Sequence, residues 1–150
     1  MIRALIQARM SSTRFPGKVL APLKGRPIIA HLLMQVERVL PSKDIVVATS
    51  DEASDDPLAC YVQTLGIRVF RGPLRDVFGR FQLCLKEYPC DWFFRLCADS
   101  PLLEGSLLET MSAYQERGDV DLVTNVYPRS FPKGRSVELV NTATFTRLDS

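Results

Sequence analysis

The chain predicts one α/β domain: a mostly parallel sheet with helices on both faces. Short β-branched apolar runs alternate with longer segments of helical period, the pattern of consecutive βαβ units. With 150 residues, 46% hydrophobic and 24% charged, it is long enough to bury roughly 68–70% of its unfolded surface around a single core. Repeats, low-complexity tracts and linker-like stretches are missing from the sequence, so residues 1–150 read as one domain.

The elements follow in order. Ile2 to Ala8 is an apolar run that reads as the first strand. Pro27 to Leu40 places Ile28, Ile29, Leu32, Leu33, Val36, Val39 and Leu40 on one helical face, with Pro27 suited to the first turn. Ile45 to Ala48 is continuous and β-branched, as expected of a strand buried on both faces. Pro57 to Leu65 reads as a helix stopped by Gly66, Ile67 to Phe70 as a strand, and Leu74 to Tyr88 as a helix with Leu74, Val77, Phe78, Phe81 and Leu85 inward, closed by Pro89. Trp92 to Cys97 is a further strand, Ser106 to Arg117 a helix stopped by Gly118, and Leu122 to Val126 and Val137 to Val140 the last strands. Tyr127 to Gly134, rich in Pro, Arg and aromatics, reads as a loop between them, and a final helix runs into Ser150.

Composition narrows the function. Nineteen Lys and Arg against seventeen Asp and Glu give a formal charge of +2, which argues against a dedicated nucleic-acid binder. The N-terminal apolar run is broken by Arg3 and followed by Arg9, too short for a signal segment or a membrane span, so a cytoplasmic protein without a membrane partner is expected. Cys60, Cys84, Cys90 and Cys97 form no C-x-x-C pair and the single histidine, His31, is remote from them in sequence. They read as reduced, mostly buried thiols, His31 as a packing or surface residue, and one histidine nearly excludes a hydrolase triad.

Charge is unevenly distributed. Between Met1 and Val36 stand Arg3, Arg9, Arg14, Lys18, Lys24 and Arg26, with no Asp or Glu. Five of these six lie between the first strand and first helix, at the carboxyl edge of an open α/β sheet, where ligands bind. The segment Ala8-Arg9-Met10-Ser11-Ser12-Thr13-Arg14-Phe15-Pro16-Gly17-Lys18 has the parts of a phosphate cradle: small hydroxyl residues with free backbone N–H groups, two guanidinium groups for bidentate contacts and a mobile ammonium. It is neither a Walker A loop nor a G-x-G-x-x-G loop, and a solvated basic loop is the plainer reading of its composition.

Asp99 follows the Trp92 to Cys97 strand, where a lone carboxylate facing a cationic loop can begin a Mg²⁺–triphosphate site, while a turn or capping residue is the plainer reading of an Asp so close to Pro101. Asp51 ends the second strand and could accept hydrogen bonds from a ribose or base, or belong to a loop cluster from Ser50 to Asp56. Asp76 and Arg80, one helical turn apart, could meet a nucleotide or each other. The aromatic groups Trp92-Phe93-Phe94 and Phe78/Phe81 fit core positions better than a base-stacking platform.

The run from Ile6 to Leu20 resembles the signature of cytidylyltransferases of the spore coat polysaccharide biosynthesis protein F type. Lys24-Gly25-Arg26-Pro27, Val46 to Asp51, Val69 to Gly72, Asp76-Val77 with Arg80-Phe81, Arg95 and Ala98-Asp99-Ser100-Pro101 continue the similarity in order and spacing over nearly the whole chain. The resemblance implies a Rossmann-like nucleotide-diphospho-sugar transferase fold and Mg²⁺-dependent transfer of a cytidylyl group from CTP to a sugar with release of pyrophosphate. Arg9, Arg14 and Lys18 would hold the triphosphate, with Ser11 and Ser12 in the cradle, and Asp99 would bind Mg²⁺. Ala8, Asp51 and Arg80 would face the nucleoside, and Arg95, Arg129 and Glu138 are candidates for the sugar.

Two departures from the family pattern stand out. Pro132-Lys133-Gly134-Arg135-Ser136-Val137-Glu138 puts Ser136 where such proteins commonly carry an acidic residue. Family members also commonly run on for several tens of residues that bring more sheet, helices and often a dimer contact, so a longer protein and a homodimer are expectations. Two other readings stay open: a non-catalytic nucleotide-binding module, and a nucleotide-sugar glycosyltransferase of the same fold. The latter class typically has an Asp-x-Asp pair, whereas Asp99 here is single.

Overall fold

A computed structural model describes residues 1–148. Its strands are β1 (Ile2–Gln7), β2 (Pro22–Leu23), β3 (Arg26–Pro27), β4 (Ile45–Ser50), β5 (Arg68–Gly72), β6 (Trp92–Cys97), β7 (Leu122–Thr124) and β8 (Glu138–Asn141). Its helices are α1 (Ile28–Val36), α2 (Asp56–Thr64), α3 (Val77–Glu87), α4 (Gly105–Ser112) and α5 (Thr142–Arg147). The main sheet has the order β5-β4-β1-β6-β8-β7, with β5, β4, β1 and β6 mutually parallel and β8 and β7 antiparallel additions at one side. The α/β class and the mostly parallel sheet agree with the sequence reading.

Period-2 alternation sorts the strand side chains between the two faces. Ala4 and Ile6 of β1, Ile45 and Val47 of β4, and Trp92, Phe94 and Leu96 of β6 pack with Ile29, Leu32, Leu33 and Val36 of α1, Leu58 and Val62 of α2, and Leu108 and Met111 of α4. Leu5, Val46, Phe70 and Phe93 face the other way, onto Phe81, Cys84 and Leu85 of α3 and Phe145 of α5. The fully buried β4 has both faces covered, which is why its run Ile45-Val46-Val47-Ala48 does not alternate with polar residues. The aromatic residues are core, as expected: Phe93 stacks with Phe81 at 6.2 Å between centroids and meets the Phe145 ring edge-on at 5.2 Å.

Several boundaries shift for identifiable reasons. Pro27 stands just before α1 with an extended ψ of 144°, because it first pairs with Pro22 in a small antiparallel ribbon that period counting passes over. Lys24 and Gly25 turn that ribbon with φ of 47° and 79°, and His31 holds it against α1 through Nε2 and the Leu23 carbonyl at 2.7 Å. Leu74 precedes α3 instead of lining it, and the buried face of α3 includes Arg80. Asp76 caps α3 by accepting a hydrogen bond from the Gly79 N–H at 2.7 Å. Of the cysteines only Cys84 is buried, while Cys60 and Cys97 are exposed, so "mostly buried" is corrected. The expected final helix is represented by α5, and its continuation at residues 149–150 lies outside the described residues.

Candidate nucleotide site

The cationic loop leaves β1 at the carboxyl edge of the parallel strands, next to the point where β6 ends in Ala98 and Asp99. Gln7 and Cys97 are register partners at that edge, and the chain continues from both into one open cleft of about 200 Å³. Ala8, Arg9, Ser12, Arg14 and Lys18 line it from the loop, and Cys97, Ala98 and Asp99 from β6. The loop is exposed at Arg9 and Arg14, and with β6 it forms a concave surface that brings three cations to one carboxylate. Ser11 is exposed beside the cleft and does not line it.

The loop is held from inside. The Met10 carbonyl accepts hydrogen bonds from the N–H groups of Ser12 at 3.0 Å and Gly17 at 2.8 Å, so residues 10–17 close on themselves. Gly17 adopts φ 72°, a left-handed conformation that favours glycine, and so delivers Lys18 to the cleft. Lys18 Nζ donates to Asp99 Oδ2 at 2.7 Å, with the two side chains 35% and 46% exposed. An ion pair this exposed contributes at most about 1 kcal/mol to stability, so either partner can be drawn to an incoming anion or cation. Asp99 caps no helix, since α4 begins at Gly105, but it does stand in a turn, where the Ser100 N–H donates to the Cys97 carbonyl at 3.1 Å.

Behind the loop lies a carboxylate that sequence reasoning passed over. Asp55 is fully buried and accepts hydrogen bonds from the Met10 N–H at 2.7 Å, Thr49 Oγ1 at 2.8 Å, the Ser50 N–H at 3.0 Å and the Ser50 hydroxyl. Burial alone would push its carboxyl upward, but the bonds from Ser50, Met10 and Thr49 outweigh it and hold Asp55 below the ordinary carboxylate range. Its position in the acidic run Asp51 to Asp56 masks it as loop chemistry, and only the Thr-Ser pair ending a buried strand hints at partners.

Arg80 is also fully buried. Its Nη1 donates to the carbonyls of Pro73 at 3.0 Å and Leu74 at 3.5 Å, whereas Nε and Nη2 have no partner among the described residues. Burial lowers the guanidinium's hold on its proton, a tendency that Asp55 opposes and Arg9 reinforces. The Asp76–Arg80 pair is not formed, because Asp76 is occupied at the α3 cap. Asp51 is exposed at the end of β4, its N–H donating to the Gly72 carbonyl at 2.9 Å, and it stands outside the cleft lining.

The three sugar candidates are placed elsewhere. Arg95 and Glu138 are register partners across β6 and β8 and pair with each other at the margin of a second, mainly apolar pocket between α3, α5 and β8. Arg129 is exposed on the loop before β8, its Nη1 3.4 Å from Ser136 Oγ. Cys97 lines the cleft and is exposed as a residue, and desolvation of its thiol together with the neighbouring Asp99 charge pushes its pKa up.

An open, mostly parallel sheet with a cationic strand-to-helix loop facing a single carboxylate defines an α/β protein whose concave site lies at the carboxyl ends of its strands, where this class of sheet places its ligands, and its fold is that of the nucleotidyltransferases. More narrowly, a family model described as cytidylyltransferase matches residues 3–146, and the chain belongs to that family. It is 35% identical over 143 residues to the spore coat polysaccharide biosynthesis protein SpsF of Bacillus subtilis (strain 168), covering 91% of this chain and 58% of the relative. It is 28% identical over 142 residues to a 3-deoxy-manno-octulosonate cytidylyltransferase of Bdellovibrio bacteriovorus, covering 93% and 56%. A solved cytidylyltransferase from Leptospira borgpetersenii superposes with a TM-score of 0.90 at 31% identity, covering 96% of this chain and 61% of that one. The chain thus spans a little over half the length of the curated relatives it matches.

Proposed function

We propose that the protein transfers a cytidylyl group from CTP to a sugar acid, releasing pyrophosphate, in the synthesis of a surface polysaccharide or other glycoconjugate. The observation that carries this reading is the convergence of Arg9, Arg14, Lys18 and Asp99 on one cleft in a chain of the cytidylyltransferase family. Relatives named for a spore coat polysaccharide and for 3-deoxy-manno-octulosonate support the acceptor class. The four free cysteines among the described residues fit a reducing cytoplasm, where the protein would work.

In this reading an acceptor hydroxyl oxygen forms a bond to the α-phosphorus of CTP. The bond from that phosphorus to the β-phosphate oxygen breaks, and the hydroxyl proton passes to solvent. Arg9 and Arg14 hold the β- and γ-phosphates, and Lys18 moves from Asp99 onto the oxygen where negative charge builds as pyrophosphate leaves. The cleft supplies a single carboxylate and no cluster of three or more His, Cys, Asp or Glu ligands is found among the described residues. That donor set suits Mg²⁺, which takes one or two carboxylates and completes its shell with phosphate oxygens and water, and Asp99 is the residue that would hold it. When bound, the ion would neutralise phosphate charge as a Lewis acid.

Arg80 is fully buried and stands outside the cleft lining, its guanidinium bonded to the Pro73 and Leu74 carbonyls, so the choice of cytosine rests on the cytidylyltransferase family and not on a contact from Arg80. Arg95, Arg129 and Glu138 lie toward the β8 side and are assigned to the acceptor. A pyrophosphate-release screen of CTP, UTP, ATP and GTP against a panel of sugar acids and sugar phosphates tests the reading. Turnover with CTP and a sugar acid is expected; turnover with UTP instead would overturn the cytidylyl assignment, and tight CTP binding without turnover on any acceptor would favour a binding module.

A further inference from the structure

We infer that Asp55 is the positioning residue of the triphosphate loop: a buried carboxylate that sets the loop's shape through the Met10 N–H without touching the nucleotide. The inference rests on the CTP reading above and adds to it the residue that preorganises the site.

The Met10 peptide groups form the hub of the loop. The N–H donates outward to Asp55 Oδ1 at 2.7 Å, while the carbonyl accepts from Ser12 and Gly17 and closes the turn that carries Arg14. Lys18 follows Gly17 directly and reaches Asp99, so a shift at Met10 is passed to the cation beside the reacting phosphate. Asp55 cannot follow such a shift. Its other oxygen takes three hydrogen bonds from Thr49 and Ser50 at the end of β4, a fully buried central strand. The loop is thereby fastened to a strand buried along its whole length.

Electrostatics separates this role from ligand contact. A carboxylate beneath an anion-binding loop repels the anion, so Asp55 is not placed there to attract phosphate. Its charge does act on the buried Arg80, where it opposes the effect of Arg9. On the CTP reading the segment it holds carries Arg14 and Lys18, assigned to the triphosphate, whereas Ala8, assigned to the nucleoside, is held separately by its N–H donating to the Ala48 carbonyl at 3.2 Å, and this yields a differential that a merely structural residue would not produce.

The test is calorimetric binding of CTP and of CMP to the full chain, with thermal unfolding followed in parallel. Asp55→Asn is expected to weaken CTP at least tenfold while CMP, which lacks the β- and γ-phosphates, changes less than threefold. An equal loss for both nucleotides, or no loss for either, overturns the inference. Wild-type protein that binds neither nucleotide overturns the CTP reading itself, and the inference falls with it. Should Asp55→Asn not fold, a full-length chain with an ester in place of the Arg9–Met10 peptide bond removes only the Met10 N–H. It is expected to weaken CTP at least fivefold with CMP within threefold, and unchanged CTP affinity in that chain overturns the inference equally.

Discussion

Lys18 and Asp99 are half-exposed partners 2.7 Å apart, so each can be removed without unfolding the protein. Lys18→Ala should lower kcat by about 10² to 10³, the cost of deleting one preorganised donor at a developing oxyanion, with a melting temperature close to wild type. A rate within threefold of wild type would take Lys18 out of the chemistry. Asp99→Asn should abolish the dependence of pyrophosphate release on added Mg²⁺, and full metal-dependent turnover in that variant would move the metal elsewhere. Asp55 adds a pH signature. Its folded pKa is depressed, so the stability it contributes is complete above the unfolded value of about 3.9 and is lost as pH falls through the lower folded value. Acid unfolding should be shallower between pH 5 and 2 in Asp55→Asn than in wild type, and superimposable slopes would deny the buried carboxylate its charge.

At the scale of elements, α3 shows what a pattern can and cannot give. Its existence is legible from Val77, Phe81 and Leu85 at helical spacing, but the i,i+4 relation of Asp76 and Arg80 invites an ion pair that is not made. Asp76 accepts from the Gly79 N–H, where glycine leaves room for the carboxylate, and Arg80 turns into the core. A cap and an ion pair separate cleanly by substitution. Asp76→Ser keeps a capping oxygen and should unfold within about 0.5 kcal/mol of wild type in urea, whereas Asp76→Ala should lose about 1 kcal/mol. Equal losses in the two variants would restore the ion-pair reading. The strands β1, β4 and β6 were readable because continuous apolar runs leave little alternative, and the loop with Asp99 was readable because an acid-free stretch and a lone carboxylate sit at strand ends. The β2–β3 ribbon was not, since two-residue strands built on prolines carry no period. Asp55 and Arg80 were hidden for a common reason: a charged side chain gives no sequence signal of burial, which depends on partners supplied by the loop after β1, by β4 and by the Pro73 and Leu74 carbonyls.

For the whole molecule, the formal charge of +2 says little about affinity for a triphosphate, because the cations of the β1 loop act within one cleft. Screening makes this testable. Between exposed charges the Debye length is about 10 Å at 0.1 M salt and about 3 Å at 1 M, so distant charges are largely silent while contacts in the cleft persist in part. Lys43 precedes β4 and Lys86 lies in the last turn of α3, both exposed at the edge where the parallel strands begin, opposite the cleft. Reversing both to Glu removes two charges at each position and takes the chain from +2 to about −2. If affinity followed net charge, CTP should bind much more weakly to this double variant. If it is set by the cleft, the dissociation constant at 0.15 M salt should stay within about twofold of wild type, while raising salt from 0.05 to 0.5 M should weaken CTP several-fold and leave cytidine unchanged. Calorimetry on the two proteins at the two salt concentrations separates these cases. A large loss in the double variant would mean that the molecule attracts its nucleotide through its overall field and not through the local arrangement of Arg9, Arg14 and Lys18.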